Sequence, residues 1–332
     1  MRGDNMIRFA VIGTNFITKW FLEAVKQVPE LSFYSVYSRD KNKAIAFGKP
    51  YGVSRVYDQL DELAKDQEVD AVYIASPNCS HQEQAILMMN NGKHVLCEKP
   101  IASNHAEFKR MDRAAAKNHV VLLEAMRATL DPAFTLLQDQ LIKLGKIRQV
   151  TFSFCKYSSR YDSFKSGNVE NAFRPELSNG ALMDIGVYCV NPMVKLFGLP
   201  DSIMSDVIKL SNGVDGAGMI LARYPEGMQV QLVYSKICNN YLPSQIMGEK
   251  GTLIIEGFPI IKKMVLHLNN GETETFETDY MENNMVYEAE EFVRLIHSGS
   301  QNESYLKASE DEMLVIDEVR KQGGIIFPAD QV

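Results

Sequence analysis

The chain has 332 residues, 45% of them apolar and 23% charged, with a formal net charge of −7 and a pI near 5.5. That length allows two domains, each with its own core. The acidic balance argues against a general nucleic-acid binder, which needs a concentrated basic surface, and no apolar run is long enough to mark a membrane span. Residues 1–5, MRGDN, are polar, and Arg8 interrupts the apolar stretch that follows, which is unlike a secretory signal. The five cysteines (Cys79, Cys97, Cys155, Cys189, Cys238) form no CxxC, and the six histidines form no HxxxH or HExxH. Neither a disulfide framework nor a metal site is expected, and a reducing cytoplasm is the simplest setting.

Residues 6–126 alternate strand and helix signals. A short apolar strand at 7–12 runs into Gly13-Thr14-Asn15-Phe16-Ile17-Thr18 and a helix pattern to about Val28. Further strands read at 31–37, 70–75, 94–97 and 120–124, with helices at 80–91 and 104–118. Short apolar strands separated by helices imply a parallel sheet covered on both faces, with ligands at the strands' C-terminal ends. After residue 127 the rhythm changes. A helix from Pro132 to about Leu144 precedes strand-like runs at 147–157, 206–210, 218–224, 228–234, 244–248, 251–256 and 263–268, many close enough for antiparallel hairpins. Residues 284–298 and 307–322 read as helices. The expected α/β fold is therefore a doubly wound dinucleotide-binding domain, 1–126, followed by an α+β domain, 127–332, with a large, mostly antiparallel open sheet.

Of the GxGxxG dinucleotide fingerprint only Gly13 survives, with Asn15 and Thr18 at the other glycine positions. Gly13 can still supply the tight turn, and asparagine tolerates unusual backbone angles better than most residues. The N–H groups at the helix start, across Thr14, Asn15, Phe16 and Ile17, can hold a pyrophosphate. After the second strand come Ser38, Arg39 and Asp40, with Lys43 nearby. Arg39, Ser38 and Lys43 suit a ribose 2′-phosphate, whereas Asp40 suits bare ribose hydroxyls. The expected cofactor is NADP, with NAD as the alternative. Ser76-Pro77-Asn78, after another strand, either borders the cofactor or forms an ordinary helix-entry turn.

Glu98-Lys99-Pro100 places a lysine just past a strand's C-terminal end, on the ligand edge of the sheet. An arbitrary loop lysine would simply be solvated. The stretch 178–188, SNGALMDIGVY, opens an apolar helix pattern to 197 in which Asp184 and Tyr188, four apart, share one face. On a mostly apolar helix such a pair points into a cleft or into the core, where an unpartnered Asp would be costly.

Glu98-Lys99-Pro100 after such a strand, followed about eighty residues later by GALMDIGVY, resembles the Gfo/Idh/MocA oxidoreductase family of nicotinamide-dependent sugar, polyol and diol dehydrogenases. Tyr188, where many members carry histidine, is similar to the branch of dimeric dihydrodiol dehydrogenase and glucose–fructose oxidoreductase. Asn15, Thr18 and Asn179 depart from the family pattern. The resemblance implies Lys99 and Tyr188 as the catalytic pair with Asp184 nearby, Arg174 at a position often occupied by arginine, and a homodimer or homotetramer through the C-terminal sheet. The run 228–234, MQVQLVY, alternates as an open sheet covered by a second copy would.

The chemistry follows from the residues. Oxidising an alcohol removes a hydride from carbon and a proton from oxygen. A tyrosine beside an ammonium can exchange that proton, because the positive charge favours the phenolate. Lys99 would tune Tyr188, and Asp184 would bind another substrate hydroxyl or fix the lysine. The rival assignment gives the proton transfer to Lys99. Glu98 either touches a cofactor ribose or pairs with a neighbour. Arg127, just past the last strand, is a candidate contact to substrate or cofactor, and His81, at a helix start, is a candidate cofactor neighbour that reads as structural rather than catalytic. The leading reading is an NAD(P)-dependent oxidoreductase. The alternatives are a catalytically silent NADP(H)-binding redox sensor or regulatory protein, and a redox-assisted glycosidase.

Overall fold

Six parallel strands, β1 (Ile7–Ile12), β2 (Leu31–Tyr37), β3 (Val56–Tyr57), β4 (Ala71–Ile74), β5 (His94–Glu98) and β6 (Leu122–Ala125), form one sheet in the order 3-2-1-4-5-6. This computed structural model describes residues 6–299 and 303–331; residues 1–5, read above for a leader, lie outside them. The order reverses between β1 and β4, the place where such sheets bind dinucleotides. The connecting helices are α1 (Phe16–Val25), α2 (Lys41–Gly48), α3 (Leu60–Lys65), α4 (His81–Asn90) and α5 (His105–Asn118).

The strands are apolar along their length because helices cover both faces. All four residues of β4, AVYI, are buried. Phe21 of α1 stacks on Tyr73 of β4 with ring centroids 3.8 Å apart and meets Phe9 of β1 edge-on at 5.8 Å. Each such ring contributes about 2–3 kcal/mol by leaving water. After β6 the chain continues through α6 (Arg127–Leu130), α7 (Pro132–Gln140) and α8 (Ser159–Lys165).

The second sheet has eight strands: β7 (Ile147–Cys155), β8 (Ser202–Lys209), β9 (Asp215–Arg223), β10 (Gln229–Ser235), β11 (Ser244–Gly248), β12 (Gly251–Glu256), β13 (Lys263–Leu268) and β14 (Thr273–Glu277), in the order 14-13-12-11-7-10-9-8. The central pair β7–β10 is parallel and the remaining pairs are antiparallel. Alternation sets its faces. In β10, Val230, Leu232 and Tyr234 are fully buried, while Gln231 faces out. The outward face carries Met204, Ile208 and Met219, all more than half exposed, beside a groove of about 560 Å³ lined also by Leu221, Met247 and Gln231.

A break in the helix expected over 181–197 is functionally the most consequential departure. Residues Leu182–Gly186 form a π-helical turn, followed by α9 (Val187–Phe197). Pro192 inside α9 has no N–H to offer the Tyr188 carbonyl. The last helices are α10 (Met285–Ser298) and α11 (Glu303–Gly323). The chain divides into two compact units, Met1–Arg127 with Asn283–Glu310, and Ala128–Glu282 with Asp311–Val332. In the first, α10 packs against α1 and β6. No described helix is long and apolar enough to cross a membrane.

Candidate active site

The nucleotide end of the first unit is built on Gly13. Its φ of +111° and the position of the Ala75 carbonyl oxygen, 2.6 Å from where a Cβ would stand, leave room there only for glycine. Asn15 corrects the expectation that it would stand in for a glycine in an unusual conformation. Its backbone is extended, and it is the N-cap of α1, with Oδ1 accepting from the N–H of Ile17 at 3.0 Å and of Thr18 at 3.2 Å. Its amide donates to the Ala75 carbonyl at 2.7 Å, and Thr18 Oγ1 donates to the Gly13 carbonyl at 3.1 Å. Thr18 thus ties the helix to the turn instead of vacating space. The N–H group of Ile17, one of those expected to hold a diphosphate, is engaged by Asn15, as is that of Thr18. Thr14 is half-buried, and Phe16 is exposed at the helix start.

At the end of β2, Asp40 caps α2. Its Oδ1 accepts from the N–H of Asn42 at 3.0 Å and of Lys43 at 3.2 Å. Ser38 is half-buried, and Arg39 and Lys43 are exposed. The Gly13 turn and this cationic strand end fit a dinucleotide.

After β4, Ser76 Oγ donates to Gln84 Oε1 at 2.7 Å, Pro77 precedes a tight turn, and Asn78 is buried. The ring of His81, the first residue of α4, is fully buried. Its Nδ1 lies 3.0 Å from the Pro100 carbonyl and its Nε2 3.0 Å from that of Ser76. Burial lowers its pKa, against the pull of those carbonyls. His81 therefore ties the loop after β4 to the loop after β5.

Glu98, the last residue of β5, is buried. It accepts from the Tyr73 hydroxyl and, at 3.3 Å, from the Lys99 N–H. Lys99, half-buried, precedes a cis peptide bond to Pro100. Behind this loop, Glu124 of β6 accepts from the Ile101 N–H at 2.9 Å and from the Ser309 hydroxyl. Glu288 of α10 had no sequence signal. Both its carboxyl oxygens are buried without a hydrogen-bond partner. Burial, then the Glu98 charge, push its pKa well up, and Arg127 opposes them. Burial also raises Glu98, against the Tyr73 hydrogen bond and the charges of Lys99 and Arg127. Arg127 is thus a counter-charge to these two acids, and its guanidinium lies 5.8 Å from the Trp20 ring centroid.

The second unit holds Asp184 and Tyr188. Its helix entry is fixed from β9. Asp215 is buried and accepts from the Leu182 N–H at 2.7 Å, and a Cβ on Gly180, at φ +156°, would collide with Asp215 Oδ1. Burial pushes the Asp215 pKa up to about 6, against the backbone N–H groups of Leu182 and Ala181. The π turn that follows sends Asp184 out half-buried and leaves Tyr188 half-buried, edge-on to Phe154 at 5.9 Å. Such turns are frequent at functional sites. The Asp184 carboxylate pairs with the ammonium of Lys236, a residue without a sequence signal that follows β10. Arg174 is exposed, and its Nε donates to the Val169 carbonyl at 2.9 Å. No group of three or more metal-ligating side chains occurs among the described residues.

The structure thus gathers Gly13 to Ile17, Ser38, Arg39, Lys43, Ser76 to Asn78, His81, Glu98, Lys99 and Arg127 in the first unit, and Asp184, Tyr188 and Arg174 in the second.

Residues 7–126 match the family model for the oxidoreductase family with an NAD-binding Rossmann fold, and residues 140–254 match that for the GFO/IDH/MocA C-terminal domain. The chain is 46% identical over 328 residues to scyllo-inositol 2-dehydrogenase (NADP+) of Bacillus subtilis, covering 98% of this chain and all of that one. It is 28% identical to the trans-1,2-dihydrobenzene-1,2-diol dehydrogenase of mouse, covering 98% of this chain and 99% of that one. Among solved structures, a 3-ketoreductase from Actinomadura kijaniata in complex with NADP superposes with a TM-score of 0.85 at 22% identity, covering 96% of this chain and 98% of that one, and shares its fold. The chain belongs to the Gfo/Idh/MocA oxidoreductase family and is an NAD(P)-dependent oxidoreductase acting on the hydroxyl-bearing carbons of sugar- or diol-type substrates.

Proposed function

We propose that this enzyme interconverts a ring hydroxyl and ketone of a cyclic polyol of the scyllo-inositol type, using NADP(H), with Lys99 and Tyr188 as the proton-transfer pair. The observation that carries this reading is the π turn Leu182–Gly186, which leads an acid and a phenol, both half-buried, out of an otherwise apolar helix entry. Full-length identity of 46% with an NADP-dependent scyllo-inositol dehydrogenase supports a cyclitol over an open-chain substrate. The use of Asp40 as a helix cap supports NADP over NAD, because its carboxylate is already engaged by two backbone N–H groups. Ser38, Arg39 and Lys43 remain for a 2′-phosphate.

When bound, the nicotinamide accepts or returns the hydride. Tyr188 takes the hydroxyl proton in oxidation and returns it in reduction. Its phenol, with an ordinary pKa of about 10, is almost wholly protonated near neutrality, so it takes a proton only where a cation favours the phenolate, which is the role of Lys99. Lys99 also orients the substrate oxygen, and Asp184 accepts from a neighbouring hydroxyl. Glu98 and His81 hold the Lys99 loop, and Arg174 serves as a further contact to cofactor or substrate. A second copy of the chain covers the outward face of the eight-stranded sheet, where Met204, Ile208 and Met219 would otherwise meet water. Five free thiols support the reducing cytoplasm as its place of work.

A fluorescence titration with NADPH and NADH, then turnover on scyllo-inositol and a diol panel, tests the reading in the wild type, Lys99→Met and Tyr188→Phe. Each substitution should lower kcat about 10²–10⁴-fold and leave NADPH affinity within about threefold. Near-wild-type turnover in either variant would remove that residue from the pair. Tight NADPH binding without turnover of any substrate would favour a sensor instead.

A further inference from the structure

Lys236 is only 3% exposed. Its backbone N–H donates to the Gly216 carbonyl at 2.9 Å, and the Ser235 hydroxyl accepts from the next two N–H groups, of Ile237 at 3.1 Å and Cys238 at 3.0 Å. The chain is thereby turned at the end of β10, and the side chain is held inside the second unit. Its ammonium lies 4.8 Å from the ring centroid of Phe173, which is itself fully buried beside Phe164 and Tyr161. An ammonium against an aromatic wall has lost most of its hydration and needs an anion. Asp184 supplies it through Oδ2, while its own side chain stays 30% exposed. One end of the carboxylate is therefore anchored in the interior and the other part reaches the surface. Paired with a buried cation, it is ionised, and an ionised carboxylate accepts hydrogen bonds but donates none.

We infer that Lys236 is a positioning residue that pins Asp184 as an acceptor for the substrate hydroxyl next to the reacting one, so that neutral vicinal diols and polyols are preferred over simple alcohols. The inference rests on the proposed function above. A hydroxyl is the matching donor for such an acceptor. A carboxylate-bearing substrate would bring like charge to it, and a simple alcohol brings no second hydroxyl to donate to it, a difference that sites built for a hydroxyl discriminate strongly.

The test compares kcat and KM for scyllo-inositol, trans-1,2-cyclohexanediol and cyclohexanol in the wild type, Lys236→Met, Lys236→Arg, Asp184→Asn and the Lys236→Met/Asp184→Asn double variant. Thermal unfolding serves as the control for folding. Methionine keeps an apolar stem against Phe173 and removes the charge. Lys236→Met should lower kcat/KM for the inositol and the diol about 10- to 100-fold, mostly through KM, the range for a charged hydrogen bond, and change cyclohexanol by less than about twofold. Lys236→Arg should restore most of the loss, and the double variant should be no worse than Asp184→Asn alone. An equal loss on all three substrates, or independent losses in the double variant, overturns the inference. Should Lys236→Met fail to fold, the same substrate contrast in Lys236→Arg and Asp184→Asn decides: preference kept by arginine and lost with asparagine supports the inference, and any other pattern overturns it. If the wild type oxidises none of these polyols, the proposed function falls and this inference with it. If the wild type does oxidise them and the variants are uncoupled, only the inference falls.

Discussion

Replacing Asp215 with asparagine should remove one component of the pH dependence of stability. The carboxyl is 1% exposed and holds the N–H of Leu182, the first residue of the π turn, at 2.7 Å. Burial raises its pKa from 3.8 to about 6. The folded protein therefore keeps this proton more tightly than the unfolded chain. The stability it lends is fully present below about pH 4 and is lost as pH rises through about 6. A rise of about 2 in pKa, at about 1.4 kcal/mol for each step of one, is worth ~3 kcal/mol. Asparagine keeps the oxygen that accepts from Leu182 and carries no charge at any pH. Urea unfolding of wild type and Asp215→Asn across about pH 4 to 7 measures the difference. The variant should gain on the wild type by ~3 kcal/mol over that interval, most of it between about pH 4 and 6. Curves that run parallel would refute the reasoning, because they would mean that the buried carboxyl titrates as it does in water.

Two further outcomes are expected. Arg39→Ala should weaken NADPH binding about 10- to 100-fold, the range for losing a charged hydrogen bond, and leave NADH affinity unchanged by fluorescence titration; equal weakening of both would remove Arg39 from the 2′-phosphate site. Met219→Asp sets a charge in the outward row of Met204, Ile208 and Met219. It should move the sedimentation velocity profile toward the monomer at little cost to the fold, since isolated surface changes stay within about 0.5 kcal/mol. An unaltered profile would exclude this face from the assembly.

Strands whose faces are set by burial were the most legible. β1, β2, β11, β12 and β13 fall where their apolar runs or alternation place them. The elements missed were α2, α3, α6 and α8, β3 and β14. All are short, and most are polar: β14, TETFE, has three exposed residues of five, and α3 runs only from Leu60 to Lys65. Lys99, Asp184 and Tyr188 stood out because charge or a phenol interrupts an apolar run. Lys236, Asp215 and Glu288 did not, because a buried charge is explained only by partners far along the chain: Lys236 by Asp184, Asp215 by Leu182, and Glu288 by Glu98 and Arg127. The return of residues 283–310 to the first unit is equally silent locally, since an amphipathic helix does not say which apolar surface it will cover. The π turn left no mark either, as 181–197 keeps its apolar periodicity across it.

That turn fits one more residue into the helix than an ordinary winding would hold. Upstream, Asp215 clamps Leu182; downstream, the fully buried Val187, Val190 and Met193 seat α9. Both anchorages are held, so the surplus residue is absorbed by local widening of the turn. Deleting a single residue there would let the turn relax to ordinary winding with both anchorages in place, and would re-aim the side chains within it, Asp184 among them, relative to Tyr188. The azimuth of Asp184 relative to Tyr188 is therefore written in residue count, and engineering this stretch means conserving its phase before its composition.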